Sequence, residues 1–144
     1  MKTIKDTPGR KNDKSPTHKI VFNQIQQRII DQDTDAVEYC QKEYPDTCDA
    51  FLNILADQYV LFCKKQKNYG PSNISVGTNL RTDSDVKLSL TGLWFRINDK
   101  VQRLKQLIIL GHADEVGESE LDTFQDLSVY GIIAQLVSAK VWGK

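Results

Sequence analysis

The fold is decided by residues 92–104, GLWFRINDKVQRL, where apolar side chains recur every three or four positions. That spacing is typical of one face of an α-helix. The same period continues on both sides of the stretch and predicts a helix over about residues 86–110, which Gly111 would end. The inward-facing side chains of this helix are predicted to be Leu90, Leu93, Trp94, Ile97, Val101, Leu104 and Ile108.

Other segments of the chain show the same helical period, and no strand-like alternation competes with it. Helices are predicted over residues 20–30, 36–43, 46–66 and about 118–142, and the helix over 46–66 is expected to be substantially buried. The sequence therefore predicts an all-α compact bundle of about four to five helices, with one long polar loop or lid over 68–84. The last helix is predicted to turn these side chains inward: Leu121, Phe124, Leu127, Ile132, Leu136 and Ala139.

The composition of the chain is that of an ordinary globular protein, with 144 residues, 40% hydrophobic and 26% charged. Residues 1–20 carry six Lys or Arg against two Asp, so residues 1–17 are predicted to form a flexible basic tail and 18–144 a single helical domain. The formal net charge is +0. A nucleic-acid partner is therefore possible but not indicated, because the molecule has no overall field that would attract one.

The cysteines and the lack of a long apolar segment indicate in which cellular compartment the protein resides. Cys40, Cys48 and Cys63 show no zinc-binding spacing, and their odd number without an apolar signal segment favours a reducing, cytoplasmic location. The thiols are then expected to be buried, Cys63 most of all. Because no stretch approaches 18 apolar residues, no membrane partner is expected.

The helix over 86–110 carries the first group of candidate site residues. Arg96, Asp99, Lys100 and Arg103 follow three- and four-residue spacings, so they share one side of the helix. One interpretation is a solvated face with internal ion pairs. The other is that the cations hold phosphate through forked hydrogen bonds while Asp99 holds a metal or orients them.

Three acidic residues near the start of the last helix form the second group. Glu118, Asp122 and Asp126 are spaced by four, and stacked like charges destabilise a helix unless something neutralises them. Their oxygen ligands would suit Mg²⁺, which would bridge to phosphate, but neighbouring cations could neutralise them instead. The sequence does not separate these two readings.

The third group lies in the turn over residues 67–71, KNYGP. Gly70 and Pro71 make this a natural helix end with no need of a function. Alternatively, Tyr69 could stack on a base and Lys67 could meet a phosphate.

Together the three motifs resemble the nucleotide modification associated domain family, type one, small domains of phages and bacteria. The resemblance rests on residues 67–70, KNYG, on residues 92–104, and on residues 118–127, ESELDTFQDL, with Tyr130. It covers roughly residues 50–142. It implies a largely helical fold and an association with nucleotide or modified-base metabolism.

A weaker similarity links the chain to MazG-like all-helical nucleotide pyrophosphohydrolases, which hold Mg²⁺ between acidic helices and attack the nucleotide with water. It would make Asp99, Asp122 and Asp126 catalytic, with Glu118 as a further Mg²⁺ ligand. The chain departs from that pattern, because an earlier Glu-x-x-Glu pair is missing.

Three functions stay open at this point: Mg²⁺-dependent phosphate chemistry on a nucleotide, binding or sequestering of a nucleotide without catalysis, and a helical partner-binding protein. A homo-oligomer is plausible in each case, because sites on small helical domains are often completed across a dimer.

Overall fold

The computed structural model of the protein describes residue 24, residues 27–29 and residues 31–144. No strand occurs in this part of the chain, so the predicted all-α fold is confirmed. The predicted basic tail over 1–17 lies outside the described residues, as does most of the predicted helix over 20–30. None of the described helices is long and apolar enough to span a bilayer.

Four of the helices in the described part have seven or more residues, in agreement with the predicted number. The chain divides into two compact units, Met1–Phe51 and Leu52–Lys144, and one helix runs through the boundary. The prediction of a single domain stays a prediction. In chain order the elements are α1 (Thr34–Glu43), α2 (Pro45–Tyr69), the short α3 (Ser72–Ser75), α4 (Asp83–Leu104) with a π-helical turn (Lys105–Ile109), and α5 (Glu120–Ser138).

In the first unit, α1 begins at Thr34, two residues before the predicted start. The Asp33 carboxylate accepts a hydrogen bond from the Ala36 backbone N–H at 3.0 Å, which caps the helix. The Tyr44 N–H donates to the Cys40 carbonyl at the other end. Pro45 then opens α2, since its fixed φ suits the first helical turn and its missing N–H is not needed there.

The core of the second unit forms mainly where α4 packs against α5, together with the segment around α3 and the residue Trp142. Two buried polar side chains, Ser89 and Thr123, complete the contact surface between the elements. The buried apolar residues of this core are Ile74, Leu80, Leu93, Ile133, Val137 and Trp142.

Capping boxes set the starts of α4 and α5. Thr82 and Asp85 exchange hydrogen bonds between side chain and backbone, and Ser119 and Asp122 do the same with distances of 3.0 and 3.3 Å. Helix α4 therefore begins at Asp83, about three residues before the predicted start.

The inward faces of α4 and α5 differ from those predicted. Apolar residues of α5 occur on several sides of the helix, so the helical period alone does not select the buried face. The structure buries Thr123, Ile133 and Val137 of α5. Predicted inward residues that are exposed include Trp94, Val101 and Ile108, and in or next to α5 Leu121, Phe124, Ile132 and Ala139.

The prediction that α2 is substantially buried is wrong. Of the α2 residues, Phe62 packs against the core, with its ring centroid 6.0 Å from that of Trp142, while Phe51 and Tyr59 are 61% and 62% exposed. The expectation of buried thiols fails for the same reason at Cys63, which is exposed. The helical period correctly marked these residues as apolar, but no element of the described structure covers them.

The segment over residues 68–84 is a packed connection rather than an open lid. Gly70 ends α2 with a φ of +65°, a backbone conformation that glycine adopts without strain. Ile74 and Leu80 are buried, and the Ser89 hydroxyl donates to the Ile74 carbonyl at 2.7 Å. Two apolar anchors within a polar stretch therefore hold the segment against α4.

Candidate functional site

Lys100 on α4 lies between two carboxylates near the start of α5. Its Nζ is 2.6 Å from Oε1 of Glu118 and 2.9 Å from Oδ2 of Asp126, and its side chain is only 20% exposed. Asp126 accepts a second cation, Lys65 of α2, at 3.1 Å. One acidic side chain of α5 thus connects α2 and α4.

Arg103, one turn further along α4, binds the chain that leads into α5. Its guanidinium donates to Asp114 Oδ1 at 2.9 Å, to Thr123 Oγ1 at 2.6 Å and to the backbone carbonyl of Glu118. The Glu118 carboxylate also lies 3.7 Å from Nε. A planar fork of donors is well suited to this arrangement of oxygens, which a lysine could not satisfy.

These contacts shift two pKa values. Burial alone would raise the pKa of the Asp126 carboxyl, but hydrogen bonds from Lys100 and Lys65 outweigh it and leave that pKa below the usual range. The hydrogen bond to Glu118 raises the pKa of Lys100 above its usual value against the effect of burial. Both groups are therefore charged at neutral pH.

The three predicted metal ligands do not share one site. Glu118 precedes α5 and pairs with Lys100, Asp122 caps the helix through the Ser119 N–H, and Asp126 binds Lys65 and Lys100. Across the described residues, no group of three or more His, Cys, Asp or Glu side chains could hold a metal ion together. Glu118 and Asp126 neutralise cations instead, and Asp122 caps a helix.

A groove of about 350 Å³ lies beside this network, within the second unit. Its volume falls at the lower end of the range for small-molecule sites. Aromatic side chains form much of its wall, and two cations and one carboxylate supply charge. The charged and aromatic lining residues include Lys65, Tyr69, Arg96, Asp126, Tyr130 and Trp142.

Trp142 fixes one wall of the groove. Its indole N–H donates to the Pro71 carbonyl at 2.9 Å, and the side chain is 6% exposed. Gly143 follows with a φ of +74°, and a Cβ there would lie 2.7 Å from Pro71 Cβ, so a larger residue would force the two segments apart. The wall thus joins the turn after α2 to the segment that follows α5.

Arg96 has spare hydrogen-bonding capacity at the groove. Its Nη2 donates to the Asn73 carbonyl at 2.9 Å, the one contact that the described residues give it. Two other guanidinium nitrogens therefore keep donors for a ligand. Tyr69, at the same groove, is 67% exposed.

The structure separates the predicted site residues into groups. Tyr69, Arg96 and Asp126 come together at the groove, whereas Lys100 and Arg103 take part in the ion-pair network. The other four predicted residues, Lys67, Asp99, Glu118 and Asp122, do not line the groove, and Glu118 belongs to the ion-pair network.

Lys65 and Trp142 are among the groove residues that the sequence reasoning did not place in the site. Lys65 precedes Tyr69 by four residues, so the helical spacing that grouped other residues could have placed it on the same side of α2. Trp142 had no comparable signal, since its position depends on the path of the chain after α5. It was identified only as an apolar residue near the end of the last helix.

Comparison with known proteins adds no relative to this geometry, because no family model, curated protein or solved structure matches the chain. The resemblance to the nucleotide modification associated family stays a prediction that rests on its three motifs.

Proposed function

We propose that the groove binds a nucleotide or a nucleotide-derived small molecule, and that the protein acts in phage or bacterial nucleotide or modified-base metabolism, as the motif resemblance implies. The observation that carries the proposal is the presence of an exposed aromatic ring and two cations around one concavity. These are Tyr69, Arg96 and Lys65. A nucleotide has the matching parts, a flat base and an anionic phosphate.

The base would stack on Tyr69. This ring is 67% exposed, so stacking would remove apolar surface from water. Stacking of a base on an aromatic side chain typically contributes about 1–3 kcal/mol. Tyr130 in the same groove provides a hydroxyl that could bind a polar edge of the ligand.

The phosphate would bind Arg96, whose free donors suit a forked pair of hydrogen bonds. Lys65 also lines the groove, but its charge is shared with Asp126 at 3.1 Å, so Arg96 would be the main phosphate contact. Asp126 would repel an anion if it stood alone, but its charge is compensated by Lys65 and Lys100. The groove therefore accepts negative charge on the side of Arg96.

Binding is better supported than turnover. Of the predicted catalytic carboxylates, Asp122 is engaged in a helix cap and Asp99 lies away from the groove. Asp126 lines the groove but is held ionised by two lysines, which makes it a poor proton donor. A Mg²⁺ ion would then reach the groove bound to the phosphates of the ligand. Hydrolysis of the nucleotide is the alternative function, and a nucleotide screen distinguishes it from binding.

The test is a thermal-shift screen of the full chain against deoxyribonucleotides, ribonucleotides, cyclic nucleotides and ADP-ribose, with and without Mg²⁺. We expect at least one of them to raise the melting temperature and to be recovered intact by chromatography. A stabilising nucleotide that is recovered chemically altered would establish an enzyme instead. Absence of any shift would contradict the proposal.

Matched variants locate the site. Arg96→Gln and Tyr69→Leu should each reduce the ligand-induced shift, because each removes one of the two proposed anchors. Lys67→Gln removes the same charge as a groove cation would, from a residue that does not line the groove, and should leave the shift unchanged. Equal losses in all three variants would place the binding elsewhere.

A further inference from the structure

The groove beside the ion-pair network has a small surplus of positive charge. Its charged lining residues are the cations Lys65 and Arg96 and the carboxylate Asp126. Lys65 Nζ lies 3.1 Å from Asp126 Oδ1, so these two charges offset each other. Arg96 makes no ion pair within the part of the chain that the structure describes, and its contact is the Asn73 carbonyl. The lining therefore offers one uncompensated positive charge.

The neighbouring ion-pair network has no cation to spare. Its cations and carboxylates are equal in number, so its formal charges cancel. A ligand that drew one of these cations away would leave a partly buried carboxylate without its partner, which is unfavourable. The cations are Lys65, Lys100 and Arg103, and the carboxylates are Asp114, Glu118 and Asp126.

The charge that a nucleotide brings rises with its number of phosphates. One phosphate ester carries about −1.5 to −2 at pH 7, and each further phosphate adds negative charge. Arg96 can hold one phosphate by a forked pair of hydrogen bonds, because its remaining donors lie in one plane. A second and a third phosphate would find no other free cation among the lining residues.

The walls of the groove also disfavour an extended polyphosphate. Much of the surface is apolar, and its volume of about 350 Å³ suits a compact ligand. Phosphates that lay against such walls would lose water without gaining hydrogen bonds, which is costly for charged groups. The aliphatic and phenyl side chains of the lining are Phe62, Ile74, Val129 and Ile133.

We infer that the groove selects a nucleotide with a single phosphate group over the corresponding diphosphate and triphosphate. The inference rests on the proposed nucleotide-binding function and names the substrate class of that same site. Arg96 would bind the phosphate, and Asp126, an acceptor only, would face hydroxyl or amino donors of the ligand. A 5′-monophosphate and a 3′,5′-cyclic monophosphate both have this chemistry.

Isothermal titration calorimetry of the full chain tests the selectivity. The probes are the 5′-mono-, di- and triphosphates and the cyclic monophosphates of the common ribonucleosides and deoxyribonucleosides, in EDTA at constant ionic strength. For the nucleoside that binds best, we expect a single-phosphate form to bind at least about fivefold more tightly than the triphosphate. The 5′- and cyclic forms identify which source of the phosphate the groove accepts.

Two other results separate this inference from the proposed function. An affinity that rises from monophosphate to triphosphate would overturn the selectivity and leave nucleotide binding intact. Binding by none of the probes would overturn both.

A second cation at the groove should change the selectivity. Asn73 is exposed, lines the groove and lies next to Arg96, so Asn73→Lys would add a partner for a further phosphate. The affinity for triphosphate relative to monophosphate should rise about fivefold. Gln102→Lys adds the same charge at an exposed position of α4 that does not line the groove, and should leave this ratio unchanged. An unchanged ratio in Asn73→Lys would overturn the inference.

Arg96→Gln tests the phosphate contact itself, with the phosphate-free nucleoside as the matched ligand. In the wild-type protein the monophosphate should bind about tenfold more tightly than its nucleoside, because a forked ion pair is a strong contact. In the variant the two ligands should bind within about threefold of each other. A variant that keeps the full advantage of the phosphate would overturn the assignment of the phosphate to Arg96.

Discussion

Arg96 and Arg103 lie seven residues apart on one helix, yet the structure uses them differently. The Arg103 side chain is 17% exposed and donates to oxygens of four residues, whereas Arg96 is exposed and binds one backbone carbonyl beside a groove. Their spacing of two helical turns predicts a common face and nothing more. What lies opposite each side chain decides whether a cation stabilises the fold or stays available to a ligand.

Removing the engaged arginine should have the largest effect. Arg103→Leu leaves Asp114 without its cation, Thr123 without its donor and the Glu118 carboxylate with Lys100 alone, so we expect a loss of about 3 kcal/mol in the free energy of unfolding. This corresponds to a fall of ~10 °C in melting temperature for a chain of this size. Urea unfolding measures it. A loss of under about 1 kcal/mol would show that these contacts are weak in solution.

Lys100→Met should have the next largest effect, about 2 kcal/mol, because Asp126 and Glu118 lose a partly buried partner. Lys65 still neutralises Asp126, which limits the loss. Urea unfolding at pH 7 gives the value, and Lys105→Met, in the π-helical turn, is the control.

The pH dependence of the Lys100→Met effect provides a second readout. The lowered pKa of Asp126 means that its ion pairs stabilise the fold above the unfolded value of about 3.9 and lose this effect as the pH falls through the folded value. The raised pKa of Lys100 means that its contribution is complete below about 10.4 and is lost as the pH rises through the folded value. The difference in the free energy of unfolding between wild type and Lys100→Met should therefore become smaller at both low and high pH. A difference in the free energy of unfolding that does not change with pH would argue against a stabilising ion pair between Lys100 and Asp126.

Asp122→Ala should cost about 1 kcal/mol, the usual effect of losing one half of a capping box. Asp99→Ala, on the exposed surface of α4, should cost less than about 0.5 kcal/mol. Unfolding with and without Mg²⁺ separates a cap from a metal ligand. A Mg²⁺-dependent difference at Asp122 would favour the metal reading.

The smallest effect on stability is expected at the groove. Arg96→Gln removes one exposed hydrogen bond, so the free energy of unfolding should change by less than about 0.5 kcal/mol. Its comparison with Arg103→Gln, measured by the same unfolding assay, gives the contrast between the two arginines directly. Similar losses in both variants would remove the distinction.

The sequence predicted the helices well because capping residues and helical periods are local signals. Ser119 and Gly111 lie near predicted helix ends. In the structure Ser119 caps the start of α5, and Gly111 has a positive φ. Burial was predicted poorly, because it depends on which elements pack together. On α2 and α5 apolar residues occupy more than one side, so the period could not identify the inward face.

The candidate site was predicted in part. Tyr69, Arg96 and Asp126 were named from separate motifs, and the structure places all three at one groove. The sequence could not predict that Lys100 and Arg103 form ion pairs instead of lining the groove. Those ion pairs depend on Asp114 and Glu118 in the connection before α5. Short connections of this kind carry no period from which a contact could be deduced.

The two tryptophans give the groove an optical reporter. Trp142 is 6% exposed in the groove wall with its indole N–H bound to a carbonyl, while Trp94 is 58% exposed on α4. The shielded indole should emit at shorter wavelength, and the exposed one should be quenched readily by iodide. A Trp94→Phe protein would then carry a single tryptophan, at the groove, so that occupancy could be followed from tryptophan emission without labelling the ligand.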